Sequence, residues 1–294
     1  VIDMAQHFEN DGVEAITAPN VAATSSARLK VECADNIFFD VSEVDFAIRP
    51  VEGALEGACA EDRDMELLVA TAAGGIGRFD GQSGDRVGAF VPVLENPTGL
   101  IHGPDSHLYV ASGRNSVRRF DGLTGKLIDE FVVPGSGALA NAGALLFSPD
   151  GQYLIVASTR NDRVLRYDSL TGAWLGHYVR AGSGGLDNPQ GMAFGPDGHL
   201  YVSSHGTGEV LRYNGLTGAF IDAFVPAGSG GLAGPRGLVF GRPIAMGADD
   251  NLYVVSGDTD SVLRYDSTSG DFIDEFVTSG SGGLVRPHDL AFWP

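Results

Sequence analysis

Four polar side chains that could bind a small ligand occupy equivalent positions in a repeated sequence pattern. They are Thr98, Gln190, Arg236 and His288, and each stands at the start of a short, mostly apolar run. A guanidinium, an imidazole and an amide that converge on one point favour an anionic or carbonyl ligand. If the protein is an enzyme, His288 and Arg236 are its candidate catalytic residues, with the imidazole as the general base.

Two carboxylates form a second set of candidate ligands. Asp45 and Asp289 occupy matching positions, directly after Val44 and His288, where three other repeats carry glycine. Carboxylate oxygens are preferred ligands of Ca²⁺ and Mg²⁺, so the pair predicts a divalent-cation site. The competing interpretation is that each carboxylate accepts backbone hydrogen bonds and helps to end a strand.

These residues are positioned by an internal repeat, which is clearest in residues 194–232. Within it, residues 200–202 and 210–213 are rich in β-branched and aromatic side chains, which is typical of strands. The glycine-containing turn 214–218 leads into a third strand, 220–225, and the next repeat opens with a fourth. Each unit therefore predicts a four-stranded antiparallel sheet, and radial packing of such sheets forms an all-β fold, the β-propeller.

The number of blades depends on how the two chain ends are assigned. Residues 27–31 and 36–41 match two strands of the fifth repeat, whereas the last segment, 287–294, matches an innermost strand that lacks partners. Pairing the two ends makes a sixth four-stranded blade, with residues 1–42 supplying its other strands. This closure would remove exposed sheet edges, so six blades is the preferred prediction.

In that arrangement the whole chain, 1–294, is one domain and residues 51–66 are an insertion in the first blade. The alternative is a ring of five blades. In it, the C-terminal strand joins residues 67–93 and the N-terminal residues form a separate arm.

Cys33 and Cys59 are the only cysteines in the chain. In the six-blade arrangement they fall in neighbouring blades at the closure, where a disulfide would tie the ring and would indicate an oxidising compartment. The alternative is two unrelated thiols. Neither a CxxC motif nor the Cys/His spacing of a structural zinc site is present.

Composition narrows the choice of partners. The chain carries 19 basic and 38 acidic residues, for a net charge of −19. This balance argues against nucleic acid and against anionic membrane surfaces as partners. The longest apolar runs are only as long as a strand, so no transmembrane segment is expected.

One arginine recurs in a strand of each repeat, between an apolar and an aromatic residue. Its fixed place predicts a structural role in which the guanidinium pairs with a carboxylate or with carbonyls of the adjoining hairpin or blade. The members of this set are Arg78, Arg119, Arg166, Arg212 and Arg264.

The motifs GPDGHLYV, VLRYNGLTG and GPRGLVF resemble those of NHL-repeat propellers and, in broader pattern, the streptogramin lyase-like branch. The FIDxFVPxGSGGL pattern also resembles propeller modules of bacterial secreted or surface-anchored proteins. The resemblance covers residues 67–294 and implies a propeller fold. For the lyase-like relatives it implies a catalytic histidine in a Pro-His context and a magnesium ion. Pro287-His288 matches that dipeptide, and His205 is the candidate partner, but no paired glutamate can be placed.

We therefore expect a noncatalytic propeller that is extracellular, at the cell surface or in the periplasm, and presents loops to a protein, a glycan or copies of itself. The nearly regular repeats favour this function, since fold alone does not indicate an activity. The outer strands, including Phe38-Phe39 and Phe220-Ile221, are expected contact surfaces because an outermost strand has an unpaired edge. The alternative function is a metal-dependent lyase or hydrolase whose site at the central channel uses His288, Arg236 and Asp289.

Overall fold

The computed structural model describes residues 66–70, 75–80, 85–112, 115–241 and 250–290. The chain divides into two compact units, residues 1–66 and 67–294, and all the described residues except Glu66 belong to the second. Within the described ranges the unit is built from strands, and its only helical elements are four single 3-10 turns. The prediction of an all-β fold is confirmed.

The strands form antiparallel sheets in chain order, one per repeat, and we number them as blades one to five. Blade one contains β1 (Glu66–Ala70), β2 (Ile76–Asp80) and β3 (Arg86–Val91). Blade two contains β4 (Pro97–His102), β5 (Leu108–Ser112), β6 (Ser116–Phe120) and β7 (Leu127–Val132). Blade three contains β8 (Ala142–Phe147), β9 (Tyr153–Ser158), β10 (Arg163–Asp168) and β11 (Trp174–Val179).

Blades four and five repeat this pattern. Blade four contains β12 (Pro189–Phe194), β13 (Leu200–Ser204), β14 (Glu209–Tyr213) and β15 (Phe220–Val225). Blade five contains β16 (Pro235–Phe240), β17 (Leu252–Ser256), β18 (Ser261–Tyr265) and β19 (Phe272–Val277). The connecting 3-10 turns are Ser136–Ala138, Ser183–Gly185, Ser229–Gly231 and Ser281–Gly283. The four-stranded meander predicted from the repeat is present in blades two to five.

The described residues form five blades of a β-propeller, which is the count of the alternative prediction rather than the preferred six. Residues 1–42, which the six-blade arrangement requires, lie outside the described residues, as does the insertion apart from Glu66. Cys33 and Cys59 also lie outside them, so the disulfide stays a prediction. Residues 287–290 of the expected last strand are described, but they are not in a regular strand.

From blade two to blade five, the first strand of each blade lies next to the first strand of its neighbour, and glycine makes this approach possible. A Cβ atom on Gly99 would lie 2.6 Å from the carbonyl oxygen of Gly143, and one on Gly237 would lie 2.6 Å from the Cα atom of Asp289. A Cβ on Gly191 would meet the backbone of the next inner strand in the same way. Real Cβ atoms do not come so close to backbone, so these glycines set the spacing of the inner strands.

Tyrosines connect each blade to the connection that precedes it. The hydroxyls of Tyr167, Tyr213 and Tyr265 donate hydrogen bonds of 2.8 Å to the carbonyl oxygens of Ser136, Ser183 and Ser229. The rings of these tyrosines are fully buried between sheets. Each bond therefore satisfies a buried hydroxyl and links a third strand to the preceding 3-10 turn.

Blade five differs from the blades before it in its outermost strand. Phe224 at the end of β15 is 6% exposed, whereas Phe276, at the equivalent place in β19, is 49% exposed. Val225 is fully buried and Val277 is only partly so. The face of blade five that points away from blade four is therefore open among the described residues.

This difference predicts unequal costs for one substitution made at two equivalent positions. We expect Phe224→Ala to lower the free energy of unfolding by about 3 to 5 kcal/mol, because it removes a buried ring and leaves a cavity. We expect Phe276→Ala to cost less than about 1 kcal/mol, as for other exposed side chains. Urea unfolding of both variants measures the difference. Equal losses would show that the outer face of blade five is covered in solution.

Candidate functional site

The predicted ligand residues share one end of the inner strands. Thr98, Gln190 and Arg236 are the second residues of β4, β12 and β16. His288 lies beside β16, because the backbone N–H of Gly237 donates a 2.9 Å hydrogen bond to its carbonyl oxygen. The repeat alignment therefore placed these four residues at the same level of the fold.

Two of the four make bonds that leave little for a ligand. The hydroxyl of Thr98 donates a 2.6 Å hydrogen bond to the carbonyl oxygen of Ala142 in the next inner strand. The amide nitrogen of Gln190 donates to Oδ1 of Asn188 at 2.7 Å. Thr98 thus acts as a tie between inner strands, and the Gln190 amide is engaged by its own loop.

Arg236 and His288 are brought into direct contact. Nη1 of Arg236 lies 3.2 Å from Nδ1 of His288, and since the guanidinium has no acceptor, the imidazole nitrogen accepts. This bond places the imidazole proton on Nε2 when the ring is neutral. Partial desolvation, followed by the positive charges of Arg236 and Arg286 and by His205, lowers the pKa of His288 below its usual value of 6.5.

His205 completes a group that we call the inner-end cluster, defined as His205, Arg236 and His288. It follows β13, and its backbone N–H donates to the carbonyl oxygen of Asn188 at 3.3 Å. Nε2 of His205 is buried and has no hydrogen-bond partner among the residues that the structure describes. Desolvation lowers the pKa of His205, and Arg236 lowers it further, while Asp258 and Asp187 act in the opposite direction.

A glycine makes room for the arginine of this cluster. Gly257 follows β17 as His205 follows β13, so the two residues are equivalent in blades five and four. A Cβ atom on Gly257 would lie 2.7 Å from Cδ of Arg236 and closer still to Nε. Any larger residue at position 257 would therefore displace the Arg236 side chain.

The proposed cation site fits the described residues poorly. Asp289 keeps solvent-accessible surface, yet the surrounding protein partly desolvates its carboxyl group and raises its pKa. Its Oδ1 accepts a 3.0 Å hydrogen bond from the backbone N–H of Leu290. Asp45 lies outside the described residues, and within them no three His, Cys, Asp or Glu side chains are grouped to hold a metal ion. Arg236 also places positive charge next to His288, so we derive no metal-dependent step.

The structural role predicted for the recurring arginines is confirmed where their partners are described. Nη2 of Arg119 lies 2.6 Å from Oδ2 of Asp129, and Nε of Arg212 and Arg264 donates at 3.1 Å to Asp222 and Asp274. Each carboxylate belongs to the outer strand of the same blade. The guanidinium groups of Arg119 and Arg212 also lie 5.0 Å from the ring centroids of Phe131 and Phe224. These pairs are part of the blade and not of a ligand site.

Sequence reasoning treated His205 as a loop residue and did not assign Gly257 at all. A signal was available, because the position that follows the second strand holds Thr159 in blade three, His205 in blade four and Gly257 in blade five. Such a change at a fixed place in a regular repeat indicates local specialisation.

A scan of protein-family models finds no match for this chain, and a search of curated proteins finds no significant match either. The propeller fold is therefore assigned from the strand topology alone. Within the described ranges no helix is long and apolar enough to cross a membrane.

The lowered pKa values of His205 and His288 predict a pH dependence. Both rings are mainly neutral in the folded protein near pH 7, and the unfolded chain binds protons more readily below about pH 6.5. We therefore expect this part of the stability to be lost as the pH falls below about 6.5, and Arg236→Gln to raise both pKa values. NMR titration of the two imidazoles tests this. Midpoints at or above 6.5 in the wild-type protein would contradict it.

Proposed function

We propose that the protein is a noncatalytic β-propeller scaffold, located outside the cell, that binds partner proteins and copies of itself through its outer strands. One observation carries the proposal. The first two residues of the outermost strand are exposed apolar side chains in four successive blades, and we call this set the apolar rim. Its members are Leu127, Ile128, Trp174, Leu175, Phe220, Ile221, Phe272 and Ile273.

The turns in front of three of these strands add to the apolar surface. Leu123, Leu170 and Leu216 occupy the turns that lead into β7, β11 and β15, and they are 78%, 81% and 88% exposed. A leucine at a turn is not required by the turn itself. In blade five the equivalent residue is Thr268. Repeated exposure of large apolar side chains is typical of interaction surfaces.

The outer strands of neighbouring blades follow one another closely. In the turns before β11, β15 and β19, a glycine lies against a backbone carbonyl in the outer strand of the preceding blade. Gly172 lies against the carbonyl of Phe131, Gly218 against that of Tyr178 and Gly270 against that of Phe224. The hydroxyl of Tyr178 also donates to the carbonyl oxygen of Gly215. The exposed pairs therefore succeed one another from blade to blade along the outer strands.

The unpaired backbone edge of the outer strands and the net charge of the chain indicate which kind of partner can bind. An outermost strand has an unpaired edge that can add a strand from a second molecule. The net charge of −19 opposes contact between copies at low salt and favours a partner with basic groups around an apolar centre. Self-association is therefore expected to strengthen as added salt screens this repulsion. The extracellular location rests on the motif resemblance and the acidic composition, and a glycan is the less supported partner.

The metal-dependent lyase or hydrolase was the alternative prediction. Its proposed residues His288 and Arg236 are in contact, but no observation in the described residues favours a catalytic metal beside them. A stoichiometric Ca²⁺ or Mg²⁺ ion that is lost in Asp289→Asn would restore this alternative.

Disruption of the apolar rim is expected to abolish self-association. The test variant carries Leu127→Thr, Leu175→Thr, Ile221→Thr and Ile273→Thr, one rim residue in each of the four blades, and sedimentation velocity is measured over a range of protein and salt concentrations. We expect the wild-type protein to associate at high concentration and high salt, and the variant to stay monomeric with unchanged thermal stability, because these side chains are exposed in the monomer.

A matched control carries Val93→Ser, Val133→Ser and Val285→Ser, three exposed apolar residues that lie outside the rim. It should associate like the wild type. The proposal is wrong if the rim variant associates as strongly as the control, or if the wild-type protein remains monomeric under every condition.

A further inference from the structure

Arg236 is the only charged residue that is buried among the residues whose burial is described. It is 9% exposed, and no Asp or Glu in the described ranges lies within ion-pair distance of its guanidinium. The arginines inside the blades behave differently, because Arg119 and Arg212 are more exposed and each faces an aspartate. A guanidinium that is removed from water without a negative partner is unfavourable.

The hydrogen bonds of Arg236 are also incomplete. The guanidinium has five N–H donors, and its one hydrogen bond within the described residues runs from Nη1 to an uncharged imidazole nitrogen of His288. Nε is buried and has no hydrogen-bond partner in the described ranges. Nη2 also has no partner in the described part of the chain. Unlike Nε, however, it is not fully removed from solvent. The outer edge of the guanidinium therefore faces a space that solvent can enter.

The neighbours of Arg236 make this space suitable for negative charge. His288 is exposed, so the cluster is accessible from its side, and Arg286 adds a second positive charge that acts on both imidazoles. Asp258 and Asp187 are the carboxylates close enough to influence His205, but they lie against the backbone of Gly234 and Gly206 and form no ion pair with Arg236. Among the described residues, the positive charge at the inner-strand end thus has no direct counter-charge.

We propose that the inner-end cluster binds a small oxyanion, a carboxylate or a phosphate group, through the guanidinium of Arg236. The planar fork of arginine matches two oxygens of such a group, and charge-assisted hydrogen bonds of this type are strong. His205 and His288 line the site and can donate to the same anion through Nε2. The site is separate from the apolar rim and does not depend on the function proposed for it.

The test uses the full chain and two probes, inorganic phosphate and acetate, titrated by calorimetry at constant ionic strength set with chloride. We expect saturable binding of at least one probe to the wild-type protein and at least a tenfold loss in Arg236→Gln. Arg118→Gln is the matched control, because it removes the same charge from an arginine that pairs with Glu130 on the blade surface. It should bind the probe as the wild type does.

A second variant tests the site even if Arg236→Gln fails to fold. His205→Glu would place a carboxylate in the cluster, so we expect it to raise the melting temperature in the absence of probe and to abolish probe binding. Gln152→Glu is its matched control, because it adds the same negative charge at an exposed residue of blade three outside the cluster, and it should bind the probe as the wild type does. The stronger of the two probes identifies the ligand as carboxylate or phosphate.

Absence of saturable binding to the wild-type protein would overturn the proposal. Equal binding by wild type and His205→Glu would also overturn it. The variant without the apolar rim should bind the probe normally, so failure of the rim proposal and failure of this one are distinguished.

Discussion

The close approach of neighbouring inner strands is the constraint on which the rest of this structure depends. Gly99, Gly191 and Gly237 leave no space for a Cβ atom, so each blade must begin against the backbone of the next. Once the inner strands are fixed at this spacing, the sheets fan outward and their tyrosines and phenylalanines fill the wedges between them. The same spacing leaves the residue before each glycine as the position where side-chain identity can vary, and this is where Thr98, Gln190 and Arg236 lie.

Arginine has two roles in this fold, and they differ in how far the guanidinium group is removed from water. Arg212 lies near the surface, pairs with Asp222 and stacks on Phe224, so its charge is balanced inside the blade. Arg236 is enclosed by the blade backbone, and its described hydrogen bond goes to a neutral ring. Arginines such as Arg212 face an aspartate within their blade, whereas Arg236 faces no carboxylate in the described residues. A count of charges along the sequence does not reveal this difference.

Much of the fold follows from the repeat, whereas little of the site does. Alternation of β-branched and aromatic residues, bounded by glycine turns, predicted the strands of blades two to five and placed Thr98, Gln190, Arg236 and His288 at one level. Alignment gives equivalent positions but not the hydrogen bonds that a side chain makes with its neighbours, so the ties of Thr98 to Ala142 and of Gln190 to Asn188 were missed. The role of His205 depends on contacts between blades, which no pattern within one repeat encodes. The preferred count of six blades rested on chain-end segments that lack the glycine pattern of the repeat, so the alignment was weakest there.

The tyrosine hydroxyls that reach the preceding 3-10 turns have a consequence for how the molecule comes apart. Tyr167, Tyr213 and Tyr265 each bond to the connection before their own blade, so the sheets of blades three, four and five are anchored by their predecessors. Stability in such an array is a sum of nearest-neighbour terms, and opening is easiest in a blade that, within the described ranges, has only one neighbour. Amide hydrogens of β18 and β19 should therefore exchange with solvent faster than those of β10 and β11, and local opening should travel from blade five toward the middle of the ring.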